Sequence, residues 1–101
     1  MKKRFIYDGK ETNYEISSDG KVFNIKTGKE LKGATARNEY RSVQLTIGDH
    51  PKTFMIHRLV AQTFLDNPNN YTIVDHIDRN KMNNDVSNLR WVDNMTNARN
   101  C

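Results

Sequence analysis

The stretch of residues 71–97, which reads YTIVDHIDRNKMNNDVSNLRWVDNMTN, constrains the fold of this chain more than any other. An apolar run at residues 72–74 indicates a strand over residues 72–77, and a second short segment at residues 89–92 indicates another. Asp93 or Asn94 is a good N-cap for a helix that follows. The order strand, loop, strand, helix therefore predicts a hairpin that leads directly into a helix.

The segment between the two strands, residues 78–88, is too long and too polar for a tight turn. It holds four asparagines, namely Asn80, Asn83, Asn84 and Asn88. Asn and Asp side chains form hydrogen bonds with nearby backbone groups and so stabilise irregular loops. The sequence therefore predicts an ordered loop.

The first half of the chain is typical of a small antiparallel β unit. Residues 40–47 alternate between apolar and polar side chains, which is the pattern of a half-buried strand. Turn signals separate further strands predicted at residues 14–17, 22–25 and 52–56. At residues 57–65 the apolar spacing becomes helical, and Asp66-Asn67-Pro68 ends that helix.

Charge is unevenly distributed along the chain. The formal net charge is +4 and the pI is about 9.3, which favours a polyanionic partner. Residues 1–58 hold 12 Lys and Arg against 7 Asp and Glu, whereas residues 59–101 hold 4 against 5. The first half is therefore expected to bind phosphate, and the second to hold something else, such as a cation. A solvated basic surface is the alternative.

The single cysteine, Cys101, excludes a disulfide framework or a zinc site built from several cysteines of one chain. This cysteine usage fits a reducing cytoplasm. No stretch is apolar and long enough for a signal peptide or a membrane span, so no membrane association is expected.

Asp75, His76 and Asn97 offer the groups that phosphodiester hydrolysis needs. The reaction requires a base that deprotonates water and positive charge near the developing oxyanions. His76 suits the base because imidazole titrates near neutral pH. Asp75 supplies a charged oxygen and Asn97 a neutral one, a pair that favours Mg²⁺ or Mn²⁺ over Zn²⁺.

The adjacency of Asp75 and His76 sets a geometric condition. Neighbours in a regular strand point to opposite faces. The two side chains can therefore serve one site only from either side of the scissile phosphate, or where the strand breaks up.

The sequence resembles the HNH endonuclease family, and most closely the phage and intron-type homing endonucleases that carry Asn in place of the last His. The resemblance rests on His57-Arg58-Leu59-Val60-Ala61, Asp75-His76-Ile77-Asp78, Asn80-Lys81, Asn83-Asn84, Asn88-Leu89-Arg90-Trp91-Val92 and Asn97. Segments at residues 14–17, 19–23 and 29–32 also resemble the small β module that often precedes this nuclease element. The resemblance implies an α+β fold. A DNA-contacting antiparallel β module at residues 1–56 would precede a core helix and a ββα-metal element at residues 57–101.

The resemblance also implies roles for individual residues. His76 is the general base, and Asp75 and Asn97 hold one divalent cation, Mg²⁺ or Mn²⁺. Asn88, the middle Asn of the family pattern, belongs to the catalytic set: it ties the loop to the first strand and so orients His76, and direct catalysis is the alternative. Basic side chains are expected to contact double-stranded DNA, namely Lys29, Lys32, Arg37, Arg41, Lys52, Arg79, Lys81 and Arg90.

Two conspicuous residues are predicted to have structural roles. His57 is expected to pack against or cap the helix, and Trp91 to lie in the core between hairpin and helix.

The predicted function is metal-dependent hydrolysis of DNA, by a nickase or a double-strand cutter. The protein would be encoded by a phage or mobile element and act in the cytoplasm of a bacterial host. The alternative is a DNA-binding module or truncated fragment with little or no catalysis. The sequence assigns neither a target site nor an oligomeric state.

Overall fold

The computed structural model describes residues 1–35 and 40–93. Three small antiparallel sheets and one α-helix account for most of this part of the chain. The first sheet has the order β1-β2-β3-β4, with strands Lys2–Tyr7, Lys10–Ser17, Val22–Asn24 and Glu30–Leu31. The second has the order β5-β6-β7, with strands Ala34–Thr35, Arg41–Ile47 and His50–Met55.

The remaining elements form the second half of the chain. Helix α1, Ile56–Phe64, follows β7 directly. Strands β8, Ile73–His76, and β9, Leu89–Val92, pair as an antiparallel hairpin, and a single 3₁₀ turn, Val86–Asn88, leads into β9. Small antiparallel sheets with one helix confirm the predicted α+β class. The helix predicted after residue 94 lies outside the described residues.

Strand β6 shows how the alternating pattern builds the second sheet. Val43 and Leu45 are buried, whereas the residues that alternate with them, Gln44 and Thr46, are exposed. In the register with β7, Val43 lies opposite Phe54 and Leu45 opposite Lys52. One face of the ribbon therefore supplies the core and the other meets solvent.

Strand β1 was not predicted, because its residues carry little of the alternating signal. Its segment is KKRFIY, in which Phe5 alone is buried and the preceding Lys2, Lys3 and Arg4 are exposed. β1 is a terminal strand of its sheet, bonded to β2 only. One buried side chain can hold a terminal strand of this kind, and its other positions can carry charged side chains. Phe5 is the buried side chain of β1, and its ring lies edge-on to Phe54 of the second sheet, with 5.5 Å between the ring centroids.

One hydrophobic core joins the two halves of the chain. Helix α1 lies at its centre, with Leu59, Val60 and Ala61 fully buried. Ile56 at the start of the helix is also buried, and the other buried members come from the first two sheets and from the β8–β9 hairpin, namely Phe5, Tyr14, Ile16, Val22, Val43, Leu45, Val74 and Leu89. Residues before and after the predicted domain boundary, between residues 56 and 57, thus share one core. The assignment of DNA contact to residues 1–56 and of the nuclease element to residues 57–101 stays a prediction. Within the described ranges, no helix is long and apolar enough to cross a membrane.

Replacement of Leu59 by Ala tests whether this common core stabilises the whole chain. Removal of a fully buried leucine leaves a cavity, so Leu59→Ala should lower the free energy of unfolding by about 2–5 kcal/mol. The measurement is urea denaturation followed by circular dichroism. Ile6→Ala is the control, because Ile6 is 51% exposed and its truncation should cost less than about 1 kcal/mol. Equal losses in the two variants would contradict the placement of α1 at the centre.

Candidate active site

The hairpin of β8 and β9 places Asp75 and His76 at the end of a strand. β8 stays regular through His76, which lies opposite Leu89, while Asp75 lies opposite Arg90. His76 is buried and Asp75 is partly exposed, so the two side chains lie on opposite faces of the ribbon. Both nevertheless line the same cleft of about 380 Å³, which runs along β8. A regular strand whose two last side chains line one cleft is therefore the arrangement that this chain adopts.

The loop that joins the two strands is organised around the carboxylate of Asp78. One oxygen accepts hydrogen bonds from the backbone N–H of Asn80 and from Nδ2 of Asn88, each at 2.8 Å, and the other accepts from Nδ2 of Asn83 at 3.0 Å. These bonds favour the charged carboxylate and hold the pKa of Asp78 below its usual value, with the bond from Asn83 as the largest cause. The loop is thus ordered by the Asn and Asp side chains, as predicted.

Asn88 connects the end of this loop to the end of β8. Its backbone oxygen accepts from the N–H of Ile77 at 2.8 Å, and its Oδ1 accepts from the N–H of Asp78 at 3.0 Å. Its Nδ2 also donates to the backbone oxygen of Asn83 at 2.9 Å. Asn88 therefore closes the loop directly after His76, and its side-chain bonds in the described part of the chain go to Asp78 and Asn83.

The direct partner of the His76 ring is Asn84. Nε2 of His76 lies 2.8 Å from Oδ1 of Asn84, and both residues are buried. An amide oxygen can only accept, so Nε2 carries the proton and Nδ1 keeps its lone pair. This tautomer leaves Nδ1 as the basic nitrogen of the ring.

A second histidine and a tyrosine pack against His76. The ring of His57 lies 4.9 Å from that of His76, and Tyr40 stacks on His57 at 4.8 Å and on His76 at 5.8 Å. The residue at the N-cap of α1 is Met55, and no side chain caps the helix there. Of the two structural roles open to His57, packing is the one observed.

His57 is uncharged at neutral pH. Burial lowers its pKa from 6.5 to about 4, and the neighbouring His76 and Arg58 act in the same direction. Nδ1 of His57 is buried and has no hydrogen-bond partner among the described residues. A neutral ring packed against His76 stiffens the site without adding charge to it.

Three basic side chains line the cleft beside Asp75 and His76. These are Arg58 of α1 and Arg79 and Lys81 of the loop. Arg79 has a φ of 63°, and its N–H donates to the oxygen of His76 at 2.9 Å, so the chain turns sharply after the imidazole. The cleft thus combines a carboxylate, an imidazole and a basic rim.

The carboxylate of Asp75 is held by Arg90 across the hairpin. Nε and Nη2 of Arg90 lie 3.0 and 2.9 Å from the same oxygen, Oδ2. Side-chain exposure is 16% for Asp75 and 46% for Arg90. In the described part of the chain no hydrogen bond reaches Oδ1 of Asp75, so one carboxylate oxygen is held and the other is available.

The other predicted DNA-contacting residues lie in the β half or outside the described residues. Lys32 forms an ion pair with Glu30, Arg41 donates to the backbone oxygen of Lys32, and Lys52 lies over the ring of Tyr7. Lys29 is exposed after the turn that follows β3. Arg37 and the predicted metal ligand Asn97 lie outside the described residues.

Trp91 packs against the core at β9, as predicted. Its Nε1 is buried and has no hydrogen-bond partner among residues 1–35 and 40–93. The side chain therefore contributes apolar surface at the hairpin.

Sequence reasoning missed Tyr40, Asn84 and Arg58 as parts of the site. Tyr40 lies 17 positions before His57 and meets it only through the packing of β6 against α1. Asn84 is one of four asparagines in the loop, and nothing in their spacing indicates which amide meets the imidazole. Arg58 could have been found from the sequence, because it directly follows His57 in one of the motifs that carry the family resemblance.

Comparison with known proteins assigns both halves of this chain. Residues 54–99 match the HNH endonuclease family, and residues 5–46 match the NUMOD4 motif. The chain therefore carries an HNH endonuclease domain that a NUMOD4 motif precedes, which confirms the resemblance seen in its sequence.

Individual relatives agree with this assignment. The DNA endonuclease I-HmuI of Bacillus phage SP01 is 42% identical over 91% of this chain, and an uncharacterized HNH endonuclease of Acanthamoeba polyphaga mimivirus is 44% identical over 96%. A solved structure that concerns DNA binding and cleavage by the HNH homing endonuclease I-HmuI matches 99% of this chain, with a TM-score of 0.88 and 40% identity. This chain spans 53% of the length of the phage relative, 28% of the mimivirus relative and 56% of the solved chain.

The lowered pKa of His57 predicts a loss of stability in mild acid. Between about pH 4 and 6.5 the unfolded chain binds a proton that the folded chain does not, so the free energy of unfolding falls as pH falls through this window. The total contribution is on the order of 3 kcal/mol at most. His57→Phe removes the titrating imidazole, so the stability of this variant, measured by thermal denaturation, should depend less on pH between about 4 and 6.5.

The matched control for that experiment is His50→Phe, because His50 is exposed at the start of β7. His50→Phe should keep the steep wild-type profile between pH 4 and 6.5. Identical profiles in His57→Phe and wild type would show that His57 is protonated equally well in the folded and unfolded chains.

Proposed function

We propose that this chain hydrolyses phosphodiester bonds of double-stranded DNA, in one strand or both, with one divalent cation. The observation that carries the proposal is the position of Asp75 and His76 at the end of β8, where both line one basic cleft. The HNH endonuclease domain and the DNA endonuclease activity named for I-HmuI support it. The chain spans 53% of the length of that relative, so DNA cleavage by this chain on its own is part of the proposal.

His76 acts as the general base. Its Nε2 donates to Asn84, so the lone pair on Nδ1 is free to accept a proton from water. The bond to Asn84 also stabilises the protonated ring after the transfer, because Nε2–H then donates with a fuller positive charge. Burial of His76 between Tyr40 and His57 limits the orientations of the ring.

His57 is the other imidazole in the cleft, and its chemistry suits it less to this role. A general base is most effective when its pKa lies near the working pH. The pKa of His57 is about 4, so the ring accepts a proton poorly at pH 7. His57 therefore serves as a neutral packing partner of His76.

Asp75 fits a site for Mg²⁺ or Mn²⁺. Such cations bind hard oxygen ligands and keep several waters. Oδ2 of Asp75 is held by Arg90, and Oδ1 is left for a cation. Asn97 would add an amide oxygen, as the family resemblance implies. When bound, the cation would supply positive charge for the negative oxygens that develop during hydrolysis.

The basic side chains of the cleft bind the DNA backbone in this proposal. Arg58, Arg79 and Lys81 stand beside the Asp75–His76 pair, where phosphate groups would lie. Lys29, Lys32, Arg37, Arg41 and Lys52 would extend the contact along the β half, and Arg90 serves mainly to hold Asp75. The net charge of +4 supports a polyanionic substrate.

Nicking of supercoiled plasmid tests the function. Wild-type protein should nick DNA with Mg²⁺ or Mn²⁺ and lose this activity in EDTA. His76→Ala should be slower by about 10²-fold to 10⁴-fold, the usual contribution of a general base. His50→Ala is the matched control and should cleave at the wild-type rate, because His50 is exposed and outside the cleft.

Two outcomes would count against this function. Cleavage that persists in EDTA would remove the cation from the reaction. Tight DNA binding without cleavage in any metal would favour a DNA-binding module without catalysis.

The phosphate contact proposed for Arg58 can be measured separately. For a double-stranded site the logarithm of affinity falls with the logarithm of salt concentration by about 0.9 per phosphate contact. Arg58→Gln should reduce the magnitude of this slope by about 0.9, the value for one phosphate contact. Lys26→Gln, in the turn after β3, should leave the slope unchanged. An unchanged slope in Arg58→Gln would place the DNA backbone away from α1.

A further inference from the structure

We propose that the turn between β2 and β3, in the NUMOD4 motif, positions the catalytic imidazole of His76 by way of Asn84. The catalytic consequence rests on the function proposed above. The physical link itself is independent of that function, since it is a chain of contacts that ends on two buried residues, Asn84 and His76. It gives the NUMOD4 motif a part in the active site, in addition to any contact that this motif makes with DNA.

The turn that begins this chain of contacts is stiff. The N–H of Ser17 donates to the oxygen of Lys21 at 2.8 Å, and the N–H of Lys21 donates to Oγ of Ser17 at 2.8 Å. Oγ of Ser17 also bonds to the carboxylate of Asp19. Gly20 completes the turn with a φ of +90°, a conformation that residues with a side chain rarely adopt.

The turn meets the nuclease loop at two points. The oxygen of Ser18 accepts a hydrogen bond from the N–H of Val86 at 2.7 Å. Gly20 lies so close to Asn84 that a Cβ added to Gly20 would stand 2.8 Å from Cβ and 3.0 Å from the oxygen of Asn84. The first contact holds the loop backbone, and the second leaves Asn84 no room to move towards the turn.

Asn84 carries this constraint to the imidazole. Asn84 is 5% exposed and His76 is 4% exposed, so water does not compete freely for the bond between Oδ1 and Nε2. In a buried setting a lost partner leaves both polar groups unsatisfied, which makes the bond costly to break. The position of Asn84 therefore selects the tautomer and orientation of the His76 ring.

Four positive-φ glycines provide a matched test of this link. Gly20 and Gly28 have φ values of +90° and +71°, so an Ala at either position strains the backbone to a comparable extent. A Cβ at Gly28 meets nothing within 4 Å, as is also true at Gly9 and Gly48, whereas a Cβ at Gly20 collides with Asn84. An effect found in Gly20→Ala but not in Gly28→Ala is expected from the contact with Asn84, and Asn84→Ala, which leaves Gly20 in place, should reproduce it.

The first readout is ¹⁵N NMR of the imidazole of His76, assigned by its loss in His76→Ala. Wild type and Gly28→Ala should show the Nε2–H tautomer. Gly20→Ala should show a mixture of tautomers, and Asn84→Ala should show the same mixture without touching the turn. If Gly20→Ala does not fold, Ser17→Ala takes its place, because it removes the hydroxyl that accepts from the N–H of Lys21 across the turn.

The second readout is cleavage of DNA under saturating conditions. Gly20→Ala and Asn84→Ala should lower kcat by about 10-fold to 100-fold, as expected for a misplaced catalytic group, and leave the Kd for DNA within about 2-fold of wild type. Gly28→Ala should match wild type in both. A change in Kd with an unchanged kcat would assign the turn to DNA contact and overturn the proposal.

The two readouts separate this proposal from the proposed function. Wild-type signals of His76 in Gly20→Ala would overturn the link from the turn, and wild-type signals in Asn84→Ala would overturn the link through Asn84. An altered tautomer with a wild-type kcat would overturn its catalytic consequence. If the wild-type chain cleaves no DNA at all, the proposed function fails, and the NMR comparison still decides whether the turn positions the ring.

Discussion

The hydrogen bond between Nε2 of His76 and Oδ1 of Asn84 is the interaction on which the rest of the site depends. Imidazole has two nitrogens, and a buried acceptor at one of them decides which nitrogen keeps its lone pair. Asn84 can do this only while the loop around it keeps its shape. The carboxylate of Asp78 and the amide of Asn88 supply that shape through hydrogen bonds to three other parts of the loop. The hydrogen bonds within this short loop thus hold Asn84, and Asn84 holds the His76 ring.

The architecture also explains why the β half and the nuclease half are built together. Helix α1 packs against strands of every sheet, and Phe5 near the start of the chain shares a core with Leu89 near its end. Such a small chain with 36% hydrophobic residues has little apolar surface to divide between two separate cores. A joint core lets the β2–β3 turn lie against the loop that carries Asn84, so that the motif ahead of the nuclease domain and the active site share contacts.

Local pattern and residue chemistry account for what the sequence predicted well. The alternation in β6, the helical spacing of α1 and the polar composition of the loop are local signals, and all three elements formed as predicted. Asp75 and His76 were recognised because a carboxylate next to an imidazole suits hydrolysis. Strand β1 was missed because Phe5 is its one buried residue, so its sequence shows no alternation of apolar and polar side chains. The stacking of Tyr40 and the bond from Asn84 depend on contacts between distant segments, which no local pattern encodes.

The central claim is that the His76 imidazole takes the proton from the attacking water, and chemical rescue tests it most directly. Imidazole added to His76→Ala can occupy the space of the missing ring. The account predicts that millimolar imidazole raises the rate of metal-dependent cleavage by His76→Ala but not by Asp75→Ala, whose missing group is the proposed metal ligand. Cleavage by His76→Ala at the wild-type rate without imidazole, or equal stimulation of both variants, would contradict the assignment of His76 as the base.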